Sequence, residues 1–206
     1  MSEQAVLGLR ERKKQATRVA LAEAALRLSV EHGTDTVTVE QIADAADVSV
    51  RTFFNYFSAK EEAIVAGDVD AAGRMVEAFR DRPAGEPLFT ALRHALLEMV
   101  DDPDQRDRIT AQRGLSQSPS LLAHRIGAFV VRERALAEAV AERIGADPDR
   151  DVYPSLVAAS AMAGLRVAVQ RWPGSASPDA TGPDLADLVG EVLDLLSAGL
   201  LHPPAR

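Results

Sequence analysis

Arg51, Asn55, Tyr56 and Lys60 fall within ten positions of one another, in the stretch VSVRTFFNYFSAKEEA at residues 48–63. An arginine guanidinium can bridge O6 and N7 of guanine, and an asparagine amide can bridge N6 and N7 of adenine. A phenol or an ammonium group can donate to a phosphate oxygen. Interleaved with these groups are Phe53, Phe54, Tyr56 and Phe57, four of the nine aromatic residues in the chain. Phe53 and Phe57 are four apart and share one helix face, with Val48 just ahead of it. That spacing assigns the three to a core. Val50, Arg51, Thr52, Phe54, Asn55 and Tyr56 then stand outward or at the edges, where a valine or an aromatic ring can touch a thymine methyl group. The alternative, a helix with all four rings packed on neighbours, fits poorly with the flanking arginine, asparagine and lysine.

Other chemistries find no support in the residues. There is no Gly-x-Ser-x-Gly, no phosphate-binding loop with its lysine, and no His-Glu-x-x-His. Cysteine is absent, so thiolate catalysis and Cys-ligated zinc are excluded. His32, His94, His124 and His202 are widely separated in the chain. Asp147, Asp149 and Asp151 have the spacing that opens a calcium loop, but Val152 stands at its sixth position and Ala158 at its twelfth. Glycine and glutamate are required there. No catalytic residue, metal or cofactor is expected.

The elements that must position the opening residues read as helices, and no alternating strand pattern is found. Leu21, Ala24, Ala25 and Leu28 recur at helical spacing in a first helix over 10–32, with Gly33 as its C-cap. Thr38 and Gln41 have capping-box spacing, which starts a second helix at Val39 with Ile42, Ala43 and Ala46 as its buried face. Asp47 and Val48 form a tight turn. Ser49 caps a third helix ending near Phe57. Ser58 and Glu61 repeat the capping-box spacing and start a long fourth helix to Arg80, stopped before Pro83. Five more helices follow, giving an all-α chain of about nine. Two short helices joined by a tight turn and packed on a first form a helix-turn-helix arrangement, here about 38–57, whose second helix enters the major groove. The first turn after Ser58 adds backbone N–H groups for a phosphate.

Net charge is −8, but it is unevenly placed. Residues 1–60 carry eight basic and eight acidic side chains, whereas residues 61–206 carry fifteen and twenty-three. An acidic total therefore does not exclude a phosphate-binding N-terminal face. The run RERKK at 10–14 reads either as a solvated helix face or as an arm reaching the phosphate backbone. The N-terminus lacks the apolar stretch of a secretory signal, and the apolar run SLVAASAMAGLRVAV is too short for a bilayer span. A soluble, cytoplasmic protein without membrane contact is expected.

With these motifs in place, Leu21–Ala66 resembles the TetR family of bacterial transcriptional repressors. The first-helix pattern, TVEQIADAADVS and RTFFNYFSAKEEAI carry the resemblance, in that order and spacing. It implies DNA contacts from Thr38, Val39, Ser49, Val50, Arg51, Thr52, Phe54, Asn55, Tyr56 and Lys60. It implies a DNA-binding domain at 9–57 and a ligand-binding and dimerisation domain at 58–206. Three positions depart from the family pattern: Asp47 replaces the usual turn glycine, Thr34 a common aromatic, and Ser29 a large apolar residue. Aspartate tolerates the left-handed conformation better than most residues, and the other two suggest a smaller first-helix core.

The family resemblance implies a homodimer through the last two helices. Independently, Leu185, Leu188, Val189, Val192, Leu193, Leu195, Leu196 and Leu200 make an apolar face too wide for one partner. Ala158, Ala161, Ala163, Gly164 and Ala168 permit close helix approach before it. The partners implied are a palindromic or pseudo-palindromic double-stranded DNA operator and a small hydrophobic effector. Candidate effector contacts are Phe89, Met99, His124, Phe129, Met162, Arg166 and Trp172. Residues 141–172 are similar to actinobacterial members that respond to fatty acyl-CoA. The function expected is a ligand-released repressor. The alternative is a helical enzyme or carrier with a scaffold N-terminus, which has no use for outward Arg51, Asn55, Tyr56 and Lys60.

Overall fold

The computed structural model describes residues 3–115, 118–174 and 182–199, with side chains from Gly8 onward. Among them are nine α-helices and no strand. They are α1 (Glu3–His32), α2 (Val39–Ala45), α3 (Val50–Phe54), α4 (Lys60–Arg80), α5 (Leu88–Asp101), α6 (Pro103–Gly114), α7 (Pro119–Ile144), α8 (Val152–Arg171) and α9 (Leu185–Ser197).

The chain forms two compact units. One holds Met1–Val69 and Ala111–Ala128, and the other Asp70–Thr110 and Phe129–Arg206. The first unit is built on Leu21, Ala24, Ala25, Ile42, Ala43, Phe53 and Phe57. Ala63, Ile64 and Ala66 of α4 and Leu121 of α7 complete the same core. The boundary anticipated at 57/58 therefore falls inside this unit. A three-helix piece is too small to bury its own faces, and the start of α7, distant in sequence, supplies the missing cover.

The second unit packs Met75, Val76, Phe79, Leu92, Leu96, Leu136, Val140, Leu185 and Val189 into one cluster. In α9, Leu185, Leu188, Val189, Gly190 and Leu193 are buried, while Val192 and Leu196 pack half-buried against the cluster. Leu200, assigned to the same face, lies outside the described residues. The width of that face is thus largely consumed within the chain, by contact with α5 and α8. A Cβ on Gly164 of α8 would lie 2.3 Å from Val192 Cγ1, so the small-residue run does bring two helices together, and they are α8 and α9 of one chain. α8 is 20 residues long with an eighteen-residue window of mean hydropathy 1.4. By length and composition it could cross a membrane, contrary to the expectation from its interrupted apolar run. A third of that window is buried in the protein, through Pro154, Val157, Ala158, Ala161, Met162 and Ala168.

Candidate nucleic-acid interface

Local hydrogen bonds set the helix-turn-helix. Gly33 ends α1 at φ +86, with its N–H donating to the Ser29 carbonyl at 2.9 Å. Thr38 and Gln41 complete a reciprocal capping box: Gln41 N donates to Thr38 Oγ1 at 3.3 Å and Thr38 N to Gln41 Oε1 at 2.9 Å. Next to them, the Glu40 carboxyl is held below its usual range by its own backbone N–H and then by the Thr38 hydroxyl. Its charge lies in the first turn of α2, where the helix dipole favours an anion. Asp47 takes φ 53, the left-handed turn conformation anticipated for it. Ser49 then caps α3, accepting from Thr52 N at 3.1 Å.

α3 has five residues, too few to persist alone. Its side chains fasten it. Phe53 and Phe57 are buried, their rings 5.7 Å apart, and the Arg18 guanidinium lies 5.3 Å from the centroid of Phe57. α3 ends at Phe54, short of Phe57 where the periodicity carried it. Asn55 is its C-cap and Tyr56 N bonds to the Phe53 carbonyl in a turn. α4 starts at Lys60 instead of Ser58. The carboxylate closing its first turn is Glu62, not Glu61: Glu62 Oε2 accepts from both Ser58 N and Ser58 Oγ at 2.7 Å.

The predicted contact residues divide by exposure. Ser49, Arg51, Phe54 and Asn55 are exposed, as is Thr38, while Val39, Val50, Thr52, Tyr56 and Lys60 are half-buried. Val39, Val50 and Tyr56 lean on the unit core. Phe54 is 55% exposed, its ring edge-on to Phe53 at 5.4 Å. An exposed phenylalanine beside exposed Arg51 and Asn55 is what a groove-facing surface requires. Ser49 and Thr52 join their hydroxyls at 2.8 Å. Lys60 has other work: its Nζ donates to the Thr34 and Val37 carbonyls, each at 2.7 Å. A phosphate can take at most its third N–H. Lys60 thereby ties the α1–α2 connection to the start of α4, a role its position in the chain did not reveal. Ser29 and Thr34 are buried, and their hydroxyls have no hydrogen-bond partner among the described residues.

The predicted effector contacts fall in both units. Phe89, Met99, Phe129, Met162 and Trp172 belong to the apolar cluster of the second unit, with Met162 and Trp172 fully in its core. Arg166 is exposed. His124 instead lines a cleft of about 390 Å³ in the first unit, with Arg18, Glu62, Val65, Val69 and Ala128 among its neighbours. No sequence signal marked that cleft, because its walls come from α1, α4 and α7. The aspartates at 147–151 serve their own turn: Asp151 accepts from Asp147 N and Asp147 from Asp149 N, at 2.8 and 2.9 Å.

Comparison with known proteins agrees with this construction. Residues 21–66 match the family model described as bacterial regulatory proteins, tetR family, and residues 86–201 match the MftR C-terminal domain. The transcriptional regulator TcmR of Streptomyces glaucescens is 34% identical over 173 residues, covering 80% of this chain and 76% of that one. MftR of Mycobacterium tuberculosis is 28% identical over 192 residues, covering 92% and 93%. Among solved structures, Thermus thermophilus FadR in complex with lauroyl-CoA has a TM-score of 0.57 at 23% identity, covering 92% of this chain and 97% of that one. Bacillus halodurans FadR gives 0.59 at 24%, covering 91% and 97%. The match of residues 21–66 to the family model and the 34% identity with TcmR, on a chain that folds as a capped helix-turn-helix with exposed Arg51 and Asn55, place it in the tetR family of DNA-binding transcriptional regulators.

Proposed function

We propose that the protein is a homodimeric repressor that leaves its operator when a small hydrophobic effector of the fatty acyl-CoA class binds. The observation that carries the DNA half is the exposed triplet Arg51, Phe54 and Asn55 on a helix whose opposite face is locked by Phe53 and Phe57. Thr38, Val39, Ser49, Val50, Thr52, Tyr56 and the remaining N–H of Lys60 flank the base readers. Residues 9–57 act as the reader, and the rest of the chain senses and dimerises, in the cytoplasm where the operator is. Support for the dimer comes from α8: Val152, Leu156 and Val167, at helical spacing, are 76%, 59% and 39% exposed. Support for the effector class is the lauroyl-CoA bound by the FadR neighbour, together with the similarity of residues 141–172 to acyl-CoA-responsive members.

The test is selection of bound DNA from a random pool, followed by addition of lauroyl-CoA to the recovered complex. The expected product is an inverted repeat with half-sites about one helical turn, or a multiple, apart. Released DNA at micromolar lauroyl-CoA supports the effector class. Failure to enrich any sequence would sink the repressor reading, and enrichment with no release would sink the acyl-CoA assignment alone.

A further inference from the structure

The cleft of about 390 Å³ in the first unit shares no residue with the outward set on α3. Its lining residues all belong to that unit and come from α1, α4 and α7. Val65 and Val69 of α4 and Ala128 of α7 give it aliphatic walls. Two of its other residues are not explained by packing. His124 Nδ1 is buried and has no hydrogen-bond partner among the described residues. Buried polar atoms are nearly always hydrogen-bonded, so an orphan on a cleft wall points to a partner that enters from the cleft. Gly127 lines the same cleft from the interior of α7, where glycine is among the poorest helix formers. A Cβ built on it would meet no atom within 4 Å, so packing within the chain does not require glycine. Its missing side chain leaves room one turn from His124.

The polar groups of the cleft indicate what enters it. Arg18 keeps its charge at any physiological pH and carries several N–H donors in one fork. Its guanidinium lies 5.3 Å from the centroid of Phe57, a contact with the ring that draws on the charge of the group. Glu62 is the one acid on the wall, and its Oε2 is engaged by Ser58 N and Ser58 Oγ, both at 2.7 Å. His124 offers a further donor in the tautomer with its proton on Nδ1. Donors from Arg18 and His124, together with aliphatic walls, suit a small carboxylate with an apolar body.

We propose that the cleft between α1, α4 and α7 binds a small monocarboxylate through Arg18 and His124, and that this ligand shares Arg18 with Phe57. Such a cleft is too small for a coenzyme A thioester. It is therefore a second ligand site, and it stands whether or not the acyl-CoA reading above holds. Phe57 closes the α3 segment, so occupancy of the cleft reaches the reading helix through one guanidinium.

The test uses benzoate, benzamide and benzamidine, planar probes of one size with anionic, neutral and cationic heads. Calorimetry on the full chain at neutral pH should show benzoate bound at millimolar concentration or below. The other two should bind about tenfold more weakly or worse, the difference that a charge-assisted pair makes. Gly127→Leu should abolish benzoate binding by filling the cleft, and it should not lower the melting temperature, because leucine favours a helix over glycine. Arg18→Gln should weaken benzoate about tenfold. The ring resonances of Phe57 should move on addition of benzoate to the wild-type chain and stay fixed in Gly127→Leu. No benzoate binding, or binding that neither substitution changes, would overturn the site. Benzamidine bound as tightly as benzoate would assign the cleft to Glu62 and overturn the carboxylate. Binding that leaves Phe57 unmoved would overturn the sharing of Arg18. If Arg18→Gln does not fold, the three probes and Gly127→Leu decide by themselves.

Discussion

The two units place their arginines differently, although Lys60 in the first is bound to two carbonyls. In the first, hydroxyls of Thr38 and Ser49 hold the starts of α2 and α3 and the Glu62 carboxylate holds that of α4, and Arg51 and Asn55 are left facing outward. In the second, arginines are bound internally. Arg80 joins Glu77 and Glu142, Arg106 joins Asp184, and Arg82 joins Glu86, all at 2.7–2.8 Å. Arg143 donates to the carbonyls of Arg82, Pro83 and Glu86. A guanidinium fork bound to carboxylates and carbonyls fixes a loop but has little left for a ligand. A neutral cap fixes a helix without consuming a cation. Total charge gives no hint of this difference.

The comparison can be broken at several points, beginning with the largest effect. Phe53→Ala removes a fully buried ring from the first unit and should cost about 3–5 kcal/mol. Urea unfolding would check this, and operator binding should be lost with it because α3 depends on that ring. A Phe53→Ala variant that still bound DNA with native affinity would show that α3 is held by its caps alone.

In the second unit, Gly164→Ala puts a methyl group 2.3 Å from Val192 Cγ1 and should destabilise by about 1–3 kcal/mol. Adding Val192→Ala should recover part of that loss. No recovery in the double variant would mean that the close approach of α8 and α9 is not what Gly164 serves.

Arg51→Ala leaves both cores intact. It should lower operator affinity by about 1–3 kcal/mol and relax preference at one base pair, if the guanidinium bridges a guanine. Quantitative binding to the operator and its single-base variants would decide.

A smaller effect is expected from acid. The hydrogen bond from Arg82 holds the Glu86 carboxyl at about 2, against an ordinary 4.5, with a further bond from His94. A depressed carboxyl contributes stability that is complete above its unfolded value and disappears as pH falls towards the folded one. The second unit should therefore weaken between about pH 4.5 and 2, and Glu86→Gln should reduce the dependence on pH in that window. Acid titration followed by circular dichroism would show whether the two curves differ.

The smallest change is Asp47→Gly. Relief of a left-handed non-glycine residue is opposed by glycine's greater freedom in the unfolded chain. The net gain should stay below about 1 kcal/mol. A clear loss of stability would mean that the Asp47 side chain does something beyond tolerating the turn.

What the sequence determined by itself is the set of features whose partners lie within a few residues. The Gly33 cap, the Thr38–Gln41 box, the left-handed Asp47, the Ser49 cap and the shared face of Phe53 and Phe57 all follow from chain geometry over a span of four residues or fewer. They sufficed to delimit the helix-turn-helix and to mark Arg51 and Asn55 as outward. Tertiary structure decided the rest. Lys60 bonds to carbonyls 23 and 26 residues away, Leu121 joins a core built mainly by residues before 67, and the apolar face of α9 is taken up by α5 and α8. Helical periodicity says which side of a helix is apolar, but not which helix will cover it. That choice depends on contacts between segments far apart in the chain.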